Sequence, residues 1–137
     1  MTHRVFVYGT LKRGESNDPL LKGSEFLGEA VTVPGYKMVG TSFPIIMPEA
    51  NGKPVAGEIY AVGDATLARL DQLESEGRSY DRVLIDTVLT RANGERLPTQ
   101  AFVYVGRADR FAGMFARGPL YEHVNERGEL DWRASGP

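Results

Sequence analysis

Hydrophobic residues in this chain occur in short runs or alternate with polar residues, a pattern more typical of β-strands than of long helices. Strands are predicted at Arg4 to Tyr8, Val55 to Val62, Tyr80 to Thr90 and Thr99 to Val105. The first is an apolar run that ends at a glycine, as expected of a strand covered on both faces. Asn93-Gly94 lies between the last two strands and strongly favours a hairpin there.

Prolines divide the region between the first two strands into shorter pieces. Extended segments are predicted at Phe26 to Val33, Tyr36 to Gly40 and Pro44 to Met47, with one or two helical turns at Asn17 to Lys22. From Asp109 onward the pattern weakens. The aromatic and apolar positions there predict a short helix that caps the core, and the polar segment from Glu126 to Pro137 is predicted to be a loosely held tail.

One mid-chain segment, Ala65 to about Ser75, has helical periodicity, because Leu67, Leu70 and Leu73 recur at intervals of three. Asp64 is expected to cap its first turn, and Gly77 to end the element.

The same periodicity assigns faces to two acidic residues of this helix. Glu74 follows Leu70 by four positions, so its carboxylate is predicted at the margin of the buried stripe beside Leu70 and Leu73. Asp71 is predicted to face solvent. For Glu74 the alternatives are a solvated helix glutamate or one that caps the loop that follows.

Many short strands with one mid-chain helix, in an order that does not alternate strand and helix, predict an α+β domain with a curved, mostly antiparallel sheet. The 137 residues are enough for one domain, and 42% hydrophobic with 25% charged residues is a globular composition. We therefore expect a single domain over residues 1–137.

Charge and composition narrow the possible partners. A net charge of -2 gives no electrostatic reason to expect binding to nucleic acid or to a membrane, and the basic pair Lys12-Arg13 does not change this. We find no stretch of about 18 apolar residues and no pattern of a secretory signal, so a cytoplasmic location is expected. The chain has no cysteine, which excludes disulfides and cysteine catalysis.

Several chemistries lack the residues they need. The segment Gly9 to Gly14 has the glycine spacing of a phosphate-binding loop, but Glu15 stands where such a loop needs its lysine and would repel phosphate, which argues against nucleotide binding. The two histidines, His3 and His123, have no metal-ligand spacing, and no serine-nucleophile motif is present. Among the catalytic chemistries considered, the one that remains is acid–base catalysis by a carboxylate.

Two segments resemble one known family. Val5-Phe6-Val7-Tyr8-Gly9-Thr10-Leu11-Lys12-Arg13-Gly14 is similar to the signature loop of the γ-glutamylcyclotransferase-like superfamily, especially its γ-glutamylamine cyclotransferase and avirulence-induced-gene-like branch. Leu70-Asp71-Gln72-Leu73-Glu74-Ser75 resembles the motif that carries the catalytic glutamate there, and Ser79-Tyr80-Asp81-Arg82 resembles the Tyr-x-Arg pair after it. The resemblance covers about the first hundred residues, and the part from Gly106 onward, a divergent cap and tail, is unmatched.

The resemblance implies a small, mostly antiparallel β-barrel with flanking helices, in which the signature loop and the mid-chain helix meet at one cavity. Carried over by position, Glu74 is the candidate catalytic acid and base, with Glu76 as the reserve candidate. The implied substrate-binding residues are Tyr8, Gly9, Thr10, Leu11 and Tyr80. Tyr104 is a further candidate for the cavity wall, and Arg82 is expected either to offer charge to a carboxylate or to pair with Asp81 or Asp86.

The implied reaction is the cleavage of a γ-glutamyl amine or amide, in which the substrate's own α-amine attacks the γ-carbonyl and 5-oxoproline forms. It needs no cofactor and no metal. The amine stays open between γ-glutamyl-ε-lysine, γ-glutamyl amino acids and γ-glutamylated metabolites, with glutathione ranked lower, and the loop from Ser42 to Lys53 is expected to help choose it. The alternative function is a non-catalytic module that binds a small anion or γ-glutamyl ligand. A monomer or weak homodimer is expected.

Overall fold

Five strands close into a barrel in the computed structural model, which describes residues 1–40 and 43–134. The elements in chain order are β1 (Thr2–Val7), a 3-10 helix (Asp18–Leu21), β2 (Glu25–Thr32), β3 (Tyr36–Val39), β4 (Ile45–Pro48), β5 (Ala56–Gly63), α1 (Asp64–Leu73), β6 (Tyr80–Thr90), β7 (Arg96–Gly106) and α2 (Ala108–Arg117). Strands β3 and β4 form a separate two-stranded sheet.

The barrel order is β1-β5-β2-β6-β7, and the barrel closes where β1 pairs with β7. That closing pair is parallel, whereas the other four pairs are antiparallel. The predicted fold class, an α+β protein with a small, mostly antiparallel barrel and flanking helices, is therefore confirmed. The predicted hairpin is confirmed as well, since β6 and β7 pair from Tyr80 with Gly106 to Thr90 with Arg96.

Both faces of β1 are covered, as its continuous apolar run predicts. Val5 and Val7 pack in a cluster that includes residues of both helices, while Phe6 and Tyr8 pack in a second cluster with residues of β5 and β7. Because β1 is fixed on both sides, the loop that follows it leaves the barrel from a rigid base.

The start of α1 differs from the prediction. Gly63 occupies the N-cap position, and Asp64 is the first helical residue and makes no capping hydrogen bond. A hydrogen bond of 2.6 Å instead joins the Asp64 carboxylate to Nε2 of His3, at the start of the neighbouring strand β1. The helix also ends earlier than predicted, at Leu73, although Gly77 does adopt a positive φ in the turn beyond it.

The prediction of a loose C-terminal tail is wrong for the part that the structure describes. Leu130 and Trp132 are buried in the second core cluster. Leu130 also exchanges backbone hydrogen bonds with Pro54 and Ala56 beside β5. The tail is therefore a strap held on the barrel, and residues 135–137 of the predicted segment lie outside the described residues.

Neither helix of the described ranges has the length and apolar character that crossing a bilayer requires.

Candidate active site

A cavity of about 450 Å³ lies beside the end of β1, a size within the usual range for small-molecule sites. Its walls come from the loop after β1, the end of α1, the start of β6 and the helix α2. The predicted residues Tyr8, Gly9, Thr10, Leu11, Glu74 and Tyr80 all line this one cavity, as does Tyr104. Phe43 and Pro44 line it too, whereas Ser42 of the predicted mouth loop falls outside the described residues.

The loop after β1 turns at once. The N–H of Lys12 donates to the carbonyl of Gly9 at 3.0 Å, and Gly14, with φ of +85°, donates its N–H to the Asp18 carboxylate at 2.8 Å. A side chain at Gly9 would collide with the ring of Pro44, because its Cβ would lie 2.5 Å from Pro44 Cγ. Glycine is thus required at position 9 by close packing, and at position 14 by the left-handed backbone.

Three consecutive backbone N–H groups of this loop are available to a ligand. Gly9, Thr10 and Leu11 line the cavity, and among the described residues no protein oxygen accepts a hydrogen bond from their N–H groups. Such a run of free donors can bind a small anion or a polarised carbonyl oxygen.

Lys12 anchors the far side of the loop, a role that the sequence did not indicate. It is 1% exposed, and its ammonium donates to the carbonyl oxygen of Trp132 at 2.5 Å and to the Asp131 carboxylate at 3.4 Å. Burial lowers the pKa of Lys12, with the nearby Arg133 charge acting in the same direction. The lysine therefore ties the loop to the C-terminal strap.

Glu74 occupies the C-cap position of α1, where its N–H donates to the carbonyl of Leu70 at 3.0 Å. Its side chain lines the cavity, and among the described residues no donor satisfies its carboxyl group. Desolvation by burial raises the pKa of Glu74 from 4.5 to about 7. A carboxyl in this state can both accept and donate a proton near neutral pH.

Leu73 departs from its prediction. Leu70 is fully buried, but Leu73 is 41% exposed, because it is the last residue of the helix and lies at the edge of the cavity. The reserve candidate Glu76 is exposed and does not line the cavity; its carboxylate accepts the backbone N–H of Arg82 at 3.3 Å. Of these two glutamates, Glu74 therefore lines the cavity and Glu76 does not.

Tyrosines form part of the cavity wall. The hydroxyl of Tyr8 donates to the carbonyl of Tyr104 at 2.7 Å, which fixes its ring across β1 and β7. Burial raises the pKa of Tyr8 and of Tyr80, and Glu74 is close enough to raise both further. Both phenols therefore stay protonated near neutral pH.

The prediction that Asp71 faces solvent is wrong. Its carboxylate accepts two hydrogen bonds from the guanidinium of Arg82, at 2.6 and 2.8 Å, and one from the hydroxyl of Tyr104 at 2.6 Å. Neither of the partners predicted for Arg82, Asp81 or Asp86, is the one observed. Asp71 thereby joins α1 to β6 and β7 and holds the helix end that carries Glu74 against the barrel.

The described residues contain no group of three or more histidine, cysteine, aspartate or glutamate side chains that could hold a metal ion. The arrangement instead offers one proton-exchanging carboxyl, free amide donors and protonated phenols around a half-open cavity.

Comparison with known proteins agrees with this arrangement. The sequence model of the family described as "Gamma-glutamyl cyclotransferase, AIG2-like" matches residues 5–126, so the likeness extends well past Gly106, where the resemblance was expected to end. The chain is 34% identical over 134 residues to Gamma-glutamylaminecyclotransferase B of Danio rerio, covering 91% of this chain and 69% of that protein. It is 36% identical over 85 residues to the Gamma-glutamylcyclotransferase family protein YtfP of Escherichia coli K12, covering 61% of this chain and 73% of that protein.

Among solved structures, that of an AIG2-like protein from Mus musculus superposes with a TM-score of 0.74 at 27% identity, covering 96% of this chain and 97% of that one. The matched family residues include the loop after β1, the end of α1 and the helix α2, which are the elements that build the cavity. The chain therefore belongs to the AIG2-like γ-glutamylcyclotransferase family.

Proposed function

We propose that this protein cleaves γ-glutamyl amines or amides to 5-oxoproline and the free amine, with Glu74 as the acid and base. The observation that carries the proposal is the unpaired Glu74 carboxyl, which faces the same cavity as the free N–H groups of the loop after β1. Membership of the γ-glutamylcyclotransferase family supports the reaction class. The name of the Danio rerio relative supports a γ-glutamyl amine as substrate.

The substrate brings its own nucleophile. Its α-nitrogen forms a bond to the γ-carbonyl carbon, and the bond from that carbon to the departing nitrogen breaks. The α-ammonium loses two protons as it becomes the lactam N–H, and the departing nitrogen gains two and leaves as an ammonium. The reaction balances without water, metal or cofactor. Holding the chain in its cyclising rotamer contributes up to about 7 to 11 kcal/mol to intramolecular reactions of this kind.

Glu74 is suited to carry the protons. With a pKa of about 7, roughly half of the side chains are ionised at neutral pH, so the carboxylate that accepts a proton is already present. The acid that results is strong enough to protonate the departing nitrogen. A positioned general acid and base contributes typically 10² to 10⁴ in rate.

The loop after β1 is proposed to hold the γ-glutamyl group. The N–H groups of Gly9, Thr10 and Leu11 can bind the substrate's α-carboxylate or the oxygen on which negative charge develops. Tyr80 completes the wall as a hydrogen-bond donor, because its phenol stays protonated. The hydroxyl of Tyr8 is already engaged by Tyr104, so its part is to shape the cavity.

The test is to incubate the purified protein with a panel of γ-glutamyl amines and amino acids and to measure 5-oxoproline. We expect wild-type protein to form 5-oxoproline from at least one of them, and Glu74→Gln to lose at least about 100-fold in kcat, since glutamine cannot exchange the proton. Glu76→Gln is the matched control, because it removes a carboxylate two residues away that does not line the cavity. Its kcat should stay within about twofold of wild type.

Equal turnover by wild type and Glu74→Gln would remove Glu74 from the mechanism. If no panel member is turned over but γ-glutamyl compounds bind, the alternative of a binding module on the same barrel is supported instead.

A further inference from the structure

Arg110 is the second charged side chain of the cavity wall. Of the described residues that line the cavity, Glu74 is the one acid and Arg110 the one base. Glu74 lies at the end of α1, and Arg110 lies in the first turn of α2. The proposed proton transfer uses Glu74 and leaves the cation unexplained.

The guanidinium of Arg110 is free to bind a ligand. Among the described residues, no carboxylate lies within salt-bridge distance of it. Its neighbour Arg107 differs, because it is engaged by the carboxylates of Asp81 at 2.9 Å and Asp109 at 3.2 Å. The guanidinium carbon of Arg110 instead lies 5.4 Å from the ring centroid of Phe111, a buried residue that anchors α2 in the core. Arg110 is exposed, and among the described residues no protein group accepts a hydrogen bond from its side chain, so its donors are accessible to a ligand.

The rim of the cavity is partly apolar. Phe43 and Leu73 both line the cavity and are 51% and 41% exposed, so they form part of its open edge. The cavity wall therefore offers a ligand apolar surface together with one carboxyl and one cation. Apolar rim residues with one convergent charged group are the usual composition of a site that selects a ligand by its polar end.

We propose that Arg110 selects the departing amine by binding a carboxylate on it. This inference rests on the proposed function. The γ-glutamyl group fills the inner cavity, where the free N–H groups of the loop after β1 lie, and the departing group extends along the apolar rim to Arg110. The preferred substrates are then γ-glutamyl amides of amino acids, with an aliphatic segment between the scissile nitrogen and the carboxylate. Neutral and cationic amines without a carboxylate are poorer substrates, because they leave Arg110 unpaired or repel it.

The experiment compares pairs of substrates that differ only in charge. The γ-glutamyl amides of glycine, alanine, β-alanine, γ-aminobutyrate and lysine (through its ε-nitrogen) are each assayed beside the corresponding carboxamide, in which a neutral group of the same shape replaces the carboxylate. For at least one pair we expect wild-type protein to favour the carboxylate by about tenfold or more in kcat/KM, as a hydrogen bond to a charged group allows. The length of the best member measures how far the carboxylate lies from the scissile bond.

Arg110→Met removes the charge and keeps an aliphatic side chain, and it should abolish that preference, because kcat/KM falls more for the carboxylate of each pair than for its carboxamide. Arg110→Lys should retain part of the preference. Arg117→Met is the matched control, since it removes the same charge from the same helix at a residue that does not line the cavity. It should keep the full preference.

The outcomes separate this inference from the proposed function. If wild type turns over carboxylates and carboxamides equally, or if Arg110→Met keeps the preference, Arg110 is not the selecting residue, although the cyclisation stands. If no substrate of either kind is turned over, both proposals fail.

Discussion

The raised pKa of Glu74 predicts a stability effect that does not depend on knowing the substrate. Desolvation raises the pKa of Glu74 from 4.5 to about 7, so between these values the folded chain keeps a proton that the unfolded chain has released. The folded state is favoured at acidic pH by this group, and the contribution is lost as the pH rises through the folded pKa. Well above pH 7 the carboxyl is ionised in both the folded and the unfolded chain, so the free energy of unfolding no longer changes with pH through this group.

The size of the effect follows from the same values. A rise from 4.5 to about 7 corresponds to at most about 3 kcal/mol of unfolding free energy, since each pKa unit is worth 1.36 kcal/mol. Because the cavity is open on one side and water screens part of the charge, about 2 kcal/mol is the value expected between pH 5 and pH 8. Glu74→Gln removes the ionisable group, so the free energy of unfolding of this variant relative to wild type should rise by about 2 kcal/mol from pH 5 to pH 8.

The assay is urea unfolding of wild type and Glu74→Gln at pH 5, 6, 7 and 8, with the difference in unfolding free energy plotted against pH. Taking the difference cancels the titration of the other carboxylates. Glu76→Gln, which removes an exposed carboxylate, should give a difference that changes by less than about 0.5 kcal/mol. A flat difference for Glu74→Gln would mean that Glu74 titrates as an ordinary solvated carboxyl, and the reasoning from its burial would be refuted.

Three further substitutions test the framework around the cavity. Asp71→Asn weakens the contact with Arg82 and should lower the free energy of unfolding by about 2 kcal/mol in urea titration; a loss below about 0.5 kcal/mol would contradict the assigned clamp. Gly9→Ala forces a methyl group against Pro44 and should reduce kcat/KM at least about tenfold, whereas unchanged kinetics would show that the close packing is dispensable. Lys12→Met removes the hydrogen bond to the carbonyl of Trp132 and should expose the C-terminal strap to proteolysis, measured as faster cleavage within the strap in limited proteolysis. Cleavage at the wild-type rate would argue against this anchoring role.

Local sequence patterns predicted the elements whose stability is decided by neighbours along the chain. The hairpin of β6 and β7 follows from alternating residues and from Asn93-Gly94, which supplies the positive φ that a tight turn needs. The covered faces of β1 follow from its unbroken apolar run. The loop residues of the cavity were predicted by resemblance to a family motif and not by periodicity, because a loop such as Gly9 to Gly14 has no period to detect.

The features that the sequence did not predict share one physical cause: in each, the interacting residue lies far away along the chain. Asp71 was assigned to the solvent face because helical periodicity describes only the helix itself, whereas its partners Arg82 and Tyr104 come from two strands. The burial of Lys12 was not predicted, because the carbonyl of Trp132 that accepts its hydrogen bond lies 120 positions away. The buried tail was missed for the same reason: a polar segment with two apolar anchors has no local signal until the barrel that receives it is known.

The pH dependence of 5-oxoproline formation tests most directly the claim that Glu74 exchanges protons with the substrate in a partly desolvated cavity. We predict that kcat/KM of the wild-type protein falls on the acid side with a midpoint near pH 7, the pKa to which burial raises Glu74, and that Glu74→Gln shows only a low rate without this limb. An acid limb retained at full rate in Glu74→Gln, or one with its midpoint near 4.5 in the wild type, would contradict the account.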